Sequence, residues 1–194
     1  MLEFENCENK TDEELVALIL ENQRYFLCLM NRYQDKLLRY IMRISGVRRE
    51  DAEDLLQEVY IKVYRNLNDF DESFKFSSWI YRITHNQVIS EFRKKQARPQ
   101  QFLSELSDAI IENFASDLNL EREVNLVFNK EIVAKVLSSL KDEYQEIIIL
   151  RFFEDKDYKE ISDILKKPMG TVATLINRAK KQFQEEFLKQ DIKL

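Results

Sequence analysis

A chain of 194 residues with 30 Lys and Arg against 35 Asp and Glu has a net charge of −5, and 34% of it is charged. Its two Gly and two Pro point away from a turn-rich fold and toward an all-α protein. Two Cys and one His exclude a disulfide framework, a zinc module and a di-metal bundle built on paired Glu-x-x-His motifs.

Thr11-Asp12-Glu13-Glu14 reads as a capping box opening a helix, with Leu15, Ala17, Leu18, Ile19 and Leu20 as its apolar residues. A second stripe (Phe26, Leu29, Met30, Tyr33, Leu37, Leu38, Ile41 and Ile44) predicts a long helix stopped at Ser45-Gly46. Cys28 within it reads as a small buried apolar residue. No apolar run approaches a membrane span, and the acidic N-terminus is no basic-then-apolar leader. The expectation is a soluble chain in a reducing cytoplasm, with Cys7 and Cys28 unpaired by any framework.

Asp51 with Asp54 resembles a capping pair at the start of a third helix. Ala52, Leu55, Leu56, Val59, Val63 and Leu67 then make one apolar stripe, which turns Asp54, Gln57, Glu58, Ile61 and Arg65 to the opposite face. Ile61 is the odd member. That face reads either as a solvated surface with one stray apolar residue or as a polar-rimmed patch with an apolar anchor for a protein partner.

Between Leu67 and Ser78 the helical stripe lapses, and Phe70, Phe74 and Phe76 crowd a loop beside Lys75. Trp79 and Tyr81 open the next helix, and Arg82, Arg93, Lys94, Lys95 and Arg98 supply cations along and beyond it. Aromatic faces stack unpaired bases at about 1–3 kcal/mol each while cations follow the phosphates. Aromatics at helical spacing also build cores, and Trp79 reads either way. The lone His85 reads as a helix-surface residue near nucleic acid.

From Ala97 to about Asn129 the chain turns acidic, yet keeps Phe102, Leu103, Leu106, Ile110, Ile111, Phe114 and Leu118. That is too apolar for a plain spacer, so the segment is expected to dock on something. Charge is segregated: residues 1–21 hold about −6 and residues 99–131 about −5, leaving about +6 on the rest. Nucleic-acid binding therefore stays open despite the negative total.

Ile132, Val133, Val136, Leu137 and Leu140 form a further stripe, continued by Tyr144, Ile147, Ile148, Leu150, Arg151 and Phe152. After an acidic break at 154–157, Asp157 with Glu160 predicts a cap, and Ile161, Ile164 and Leu165 a short helix. Pro168 suits the first turn of the last helix. Val172, Ile176, Ala179 and Phe183 face inward there, leaving Gly170, Thr174, Asn177, Arg178 and Lys181 outward with no acid among them. This is a helix-turn-helix whose second helix fits a major groove.

Two sets of motifs together resemble one family. Asp51-Ala52-Glu53-Asp54-Leu55, Gln57-Glu58-Val59, Phe70-Asp71, Phe76-Ser77-Ser78-Trp79-Ile80-Tyr81-Arg82-Ile83 and Asn86 resemble region two of bacterial RNA polymerase sigma factors of the extracytoplasmic-function (ECF) group. Pro168-Met169-Gly170-Thr171-Val172 and Asn177-Arg178-Ala179-Lys180 resemble their region four. The resemblance implies two small helical domains, 1–96 and 130–194, joined by an acidic linker over 97–129. It implies that Asp54, Gln57 and Glu58, with Ile61, dock on a coiled coil of the largest polymerase subunit. Phe70, Phe74, Lys75, Phe76, Trp79, Arg82, His85, Asn86, Arg93 and Lys94 would then take the opened minus-ten element. Gly170, Thr171, Thr174, Asn177, Arg178 and Lys181 would read the duplex minus-thirty-five element. In the family the connector enters the polymerase cleft, and an anti-sigma protein commonly holds the factor, which would be the route to any membrane association. Ser90, where the family usually has Asp, touches only a local helix contact. Lys166 stands where Gly is usual in the turn, and Ala173 and Leu175 where cations are common, which would weaken phosphate contacts.

An enzyme would need more. Glu50, Asp51, Glu53, Asp54 and Glu58 with His85 invite a metal reading, but there is no second His, no phosphate loop and no nucleophile–base set. No catalytic residue, metal or cofactor is expected. A helix-turn-helix regulator working without polymerase would leave the aromatic loop and the 54–61 face idle.

Overall fold

The computed structural model describes residues 7–95, 114, 116–118 and 130–191, without the side chains of 92–95, 130 and 191. All regular structure among them is helical, as composition required.

Helix α1 spans Asp12–Glu21 and starts on the expected capping box: Thr11 Oγ1 accepts from the Glu14 amide at 3.1 Å, and Glu14 accepts from the Thr11 amide at 2.8 Å. Three acids in its first turn suit the positive end of the helix dipole. Helix α2, Phe26–Ser45, ends at Gly46, whose φ of 68° is the left-handed cap that glycine adopts without a Cβ clash. Helix α3 spans Arg49–Arg65 and departs from expectation at its start. Arg48, not Asp51, is the N-cap, and it supplies no side-chain bond. Asp51 stands inside the first turn, where its charge meets the dipole, 3.9 Å from Arg48. Helix α4 spans Phe76–Lys95. Leu37 and Ile41 of α2, Val59 and Val63 of α3, and Ile80 and Val88 of α4 are buried in the bundle these helices form. Each such side chain contributes about 1.5–3 kcal/mol by leaving water.

Cys7 and Cys28 are bonded to each other, with their Cα atoms 5.9 Å apart. Cys28 is buried as expected but is not a free thiol. The short turn at Gln23–Tyr25 folds α1 back on α2, and this brings together two cysteines 21 positions apart.

The second group comprises α5 (Lys130–Ser139), α6 (Asp142–Ile148), a π-helical turn (Ile149–Phe153), α7 (Tyr158–Leu165) and α8 (Met169–Asp191). Asp157 caps α7 through the Glu160 amide at 2.7 Å, with Glu160 returning the bond. Lys166 takes φ 52° and ψ 44°, so the turn keeps its left-handed residue without the glycine usual there. Pro168 lies one residue before α8 and accepts the Val172 amide. Phe114 and Leu118 of the acidic segment are buried; Phe114 sits against Phe152 and Phe183, with ring centroids 4.8 Å away in each case. Their docking surface is therefore the C-terminal helices. Phe102, Leu103, Leu106, Ile110 and Ile111 lie outside the described residues.

The two groups touch: α7 lies along α4, and the π-helical turn meets α2.

Candidate nucleic-acid and protein-docking interfaces

On α3 the expected outward face is exposed throughout: Asp54, Gln57, Glu58, Ile61 and Arg65. Ile61 is 51% exposed and borders a shallow groove with Phe26 and Met30 of α2 and Tyr60 and Tyr64 of α3. Tyr64 and Phe26 meet edge-to-face at 5.2 Å. Counting Phe26 and Met30 as core residues concealed this groove, since one stripe cannot show that the bundle stops short of its first turn. Glu58 accepts from Gln87 of α4, which also accepts from Lys62. Asp54 has no such tie to α4 among the bonds described, and so is the plainer surface charge.

The aromatic loop divides. Phe76 is fully buried and Trp79 is 6% exposed, packed with Phe70 at centroid distances of 5.3–5.5 Å. Trp79 thus takes the core option, and Phe76 is buried by the same packing. Phe74 is 37% exposed, and Asn86 is exposed on α4. Arg82 is half-buried, and the side chains of Arg93 and Lys94 lie outside the described residues. His85 is not on a free helix surface. It faces α6, with Nε2 3.5 Å from Glu146 and neither ring nitrogen hydrogen-bonded.

On α8, Gly170, Thr171, Thr174, Asn177, Arg178 and Lys181 are all exposed on one side, and a Cβ added to Gly170 would meet nothing within 4 Å. Leu175 is buried, so apolar packing accounts for the missing cation there.

A polar cluster joins the two groups. Arg43 of α2 donates to the Phe153 carbonyl at 2.7 Å and to Glu154 at 2.6 Å, and both charged side chains are almost fully buried. Tyr81 of α4 donates to the other Glu154 oxygen at 2.8 Å. Lys156 lies 4.2 Å from the Tyr81 ring centre. Asp155, between Glu154 and Lys156, takes a left-handed φ of 49°. At the rim, Lys75 pairs with Asp157 at 3.4 Å and Glu160 at 3.7 Å, and Ser77 donates to Glu160. Burial raises the Glu154 carboxyl above its usual range against the pull of Arg43 and Tyr81, and lowers the Lys156 ammonium. The sequence shows 154–157 only as a short acidic break; no periodicity marks one of its charges for burial against a helix 111 positions away.

Residues 29–98 match the family description Sigma-70 region 2, and residues 130–183 match Sigma-70, region 4. The ECF RNA polymerase sigma factor SigW of Bacillus subtilis is 33% identical over 172 residues, covering 85% of this chain and 90% of that protein. The chain belongs to the ECF sigma factors. The ECF sigma-E factor of Escherichia coli K12 is 32% identical over 182 residues, covering 89% of this sigma factor and 92% of its relative. Its fold is also similar to CnrH, solved in complex with the cytosolic domain of CnrY, at a TM-score of 0.68, 24% identity and coverage of 94% and 99%. RpoE of Bartonella quintana, solved with the anti-sigma factor NepR, gives 0.59 at 19% identity, covering 84% and 96%. This sigma factor is accordingly a transcription initiation factor that binds RNA polymerase core, recognises promoter DNA and assists strand opening. Among the described residues no helix is long and apolar enough to cross a membrane, and no cluster suits a metal ion.

Proposed function

We propose that residues 1–96 and 130–194 act as separate contact modules, with Asp54, Gln57 and Ile61 as the polymerase-docking row. The observation that carries this is the exposure of an apolar Ile61 between charges, beside an aromatic-lined groove that its own fold leaves open. Glu58 belongs to the same row, but its bond to Gln87 gives it a structural part as well. Phe74, Lys75 and Asn86, with Arg82, Arg93 and Lys94, form the downstream strand-contact set. Phe70, Phe76 and Trp79 hold the loop in shape. The α8 row from Gly170 to Lys181 reads the upstream duplex, early residues at base edges and Arg178 and Lys181 at phosphates.

Transcript synthesis belongs to the polymerase, so this chain provides binding and no catalytic group. Its place of action is the cytoplasm, and an anti-sigma protein is its expected regulator. Charge reversal tests the docking row: Asp54→Lys is expected to weaken core binding about tenfold, or ~1.4 kcal/mol, at unchanged thermal stability. Unchanged affinity would remove the row from the interface.

A further inference from the structure

The junction between the two modules is built from buried ionisable groups, and it covers part of the face assigned to DNA. Ser77, Tyr81 and His85 recur every four residues on α4, and all three meet the C-terminal module. Lys75, a cation assigned to the opened strand, is held by two carboxylates, Asp157 and Glu160. The α8 row, by contrast, is exposed.

We propose that the Arg43–Glu154–Tyr81 contact is an internal latch: it holds the C-terminal module over the downstream DNA face of α4 and leaves the upstream-reading helix accessible. No partner chain is needed for this closure. The inference rests on the reading of α4 as a strand-contact helix.

The chemistry favours a latch over a permanent core. A buried ion pair gives direction more than net stability, because both charges lose their water on closing and regain it on opening. The Tyr40 hydroxyl and both His85 nitrogens are buried at or near the junction without a hydrogen bond, and opening would hydrate them. Each module has buried apolar residues of its own: Leu37, Val59 and Ile80 in one, Val133, Ile147 and Val172 in the other. Removing one member of the pair acts on the closed form alone. It strands Arg43 without its counter-charge when closed and costs nothing when Arg43 is in water.

The test compares the free wild-type chain with Glu154→Ala and the milder Tyr81→Phe, using small-angle scattering for shape and circular dichroism for folding. Each is then assayed with core polymerase at limiting factor, on a template whose start site has been mapped with the wild type. Glu154→Ala is expected to shift the open-to-closed ratio at least tenfold, to increase the radius of gyration, and to raise transcript per factor. Tyr81→Phe should move both readouts the same way by less. A folded Glu154→Ala chain as compact as the wild type would overturn the latch. So would an extended chain with unchanged transcription, since closure would then not be inhibitory. A Phe74→Ala/Asn86→Ala chain with unchanged transcription would instead sink the strand-contact reading, while scattering still decides whether Glu154 holds the modules together.

Discussion

Trp79 packs between Phe70 and Phe76 with almost no exposed surface, so its truncation acts on the fold before it acts on DNA. Trp79→Ala is expected to destabilise the N-terminal module by about 3–5 kcal/mol. Thermal melting checks this; an unchanged melt with impaired strand opening would return Trp79 to the base-contact set. Asp157 works at a different scale of energy. The Glu160 amide holds its carboxyl below the usual range, so the contribution is complete above the unfolded value near 4 and is lost as pH falls through the lower folded value. Asp157→Ala should cost about 1 kcal/mol at neutral pH and little once the wild-type carboxyl is protonated. Urea melts at neutral pH and in acid measure the difference. Equal losses at both would mean that the cap is not electrostatic.

At the level of elements, the helices carry their own punctuation. The Thr11 and Asp157 boxes, Gly46 and the α3 stripe were all legible because each is a local rule with a fixed offset. The Asp51–Asp54 reading failed because acids near a helix start serve two roles, capping and meeting the dipole, and spacing alone does not separate them. The candidate sites were legible in the same proportion. The outward rows of α3 and α8 follow from periodicity, whereas the fates of Phe76, Trp79 and His85 depend on which helix packs on α4. The disulfide is another long-range fact of this kind, since it needs α1 folded back on α2. Closing a loop of that length stabilises by about 3 kcal/mol in the chain-entropy account. Reduction, or Cys7→Ser, is expected to lower the melting temperature of the N-terminal helices and leave α8 unaffected. A melt indifferent to reductant would show that the bond contributes nothing.

For the whole molecule, net charge is a poor guide because acids and cations are sorted in space. Some of the acidity is spent internally: Asp117 holds Lys180 at 2.6 Å, and Glu154, Asp157 and Glu160 meet Arg43, Lys156 and Lys75. The exposed α3 and α8 rows lie in different groups of helices, so the proposed protein-docking and duplex-reading faces are on separate elements.

The central claim is that these two faces together direct RNA polymerase to chosen start sites. Genome-wide start-site mapping with core polymerase, the wild-type factor and Arg178→Glu tests it most directly. The account predicts discrete wild-type starts that share an upstream and a downstream element, and loss of most of them in the Arg178→Glu variant. Starts that do not depend on the added factor, or that survive Arg178→Glu in place and strength, would contradict it.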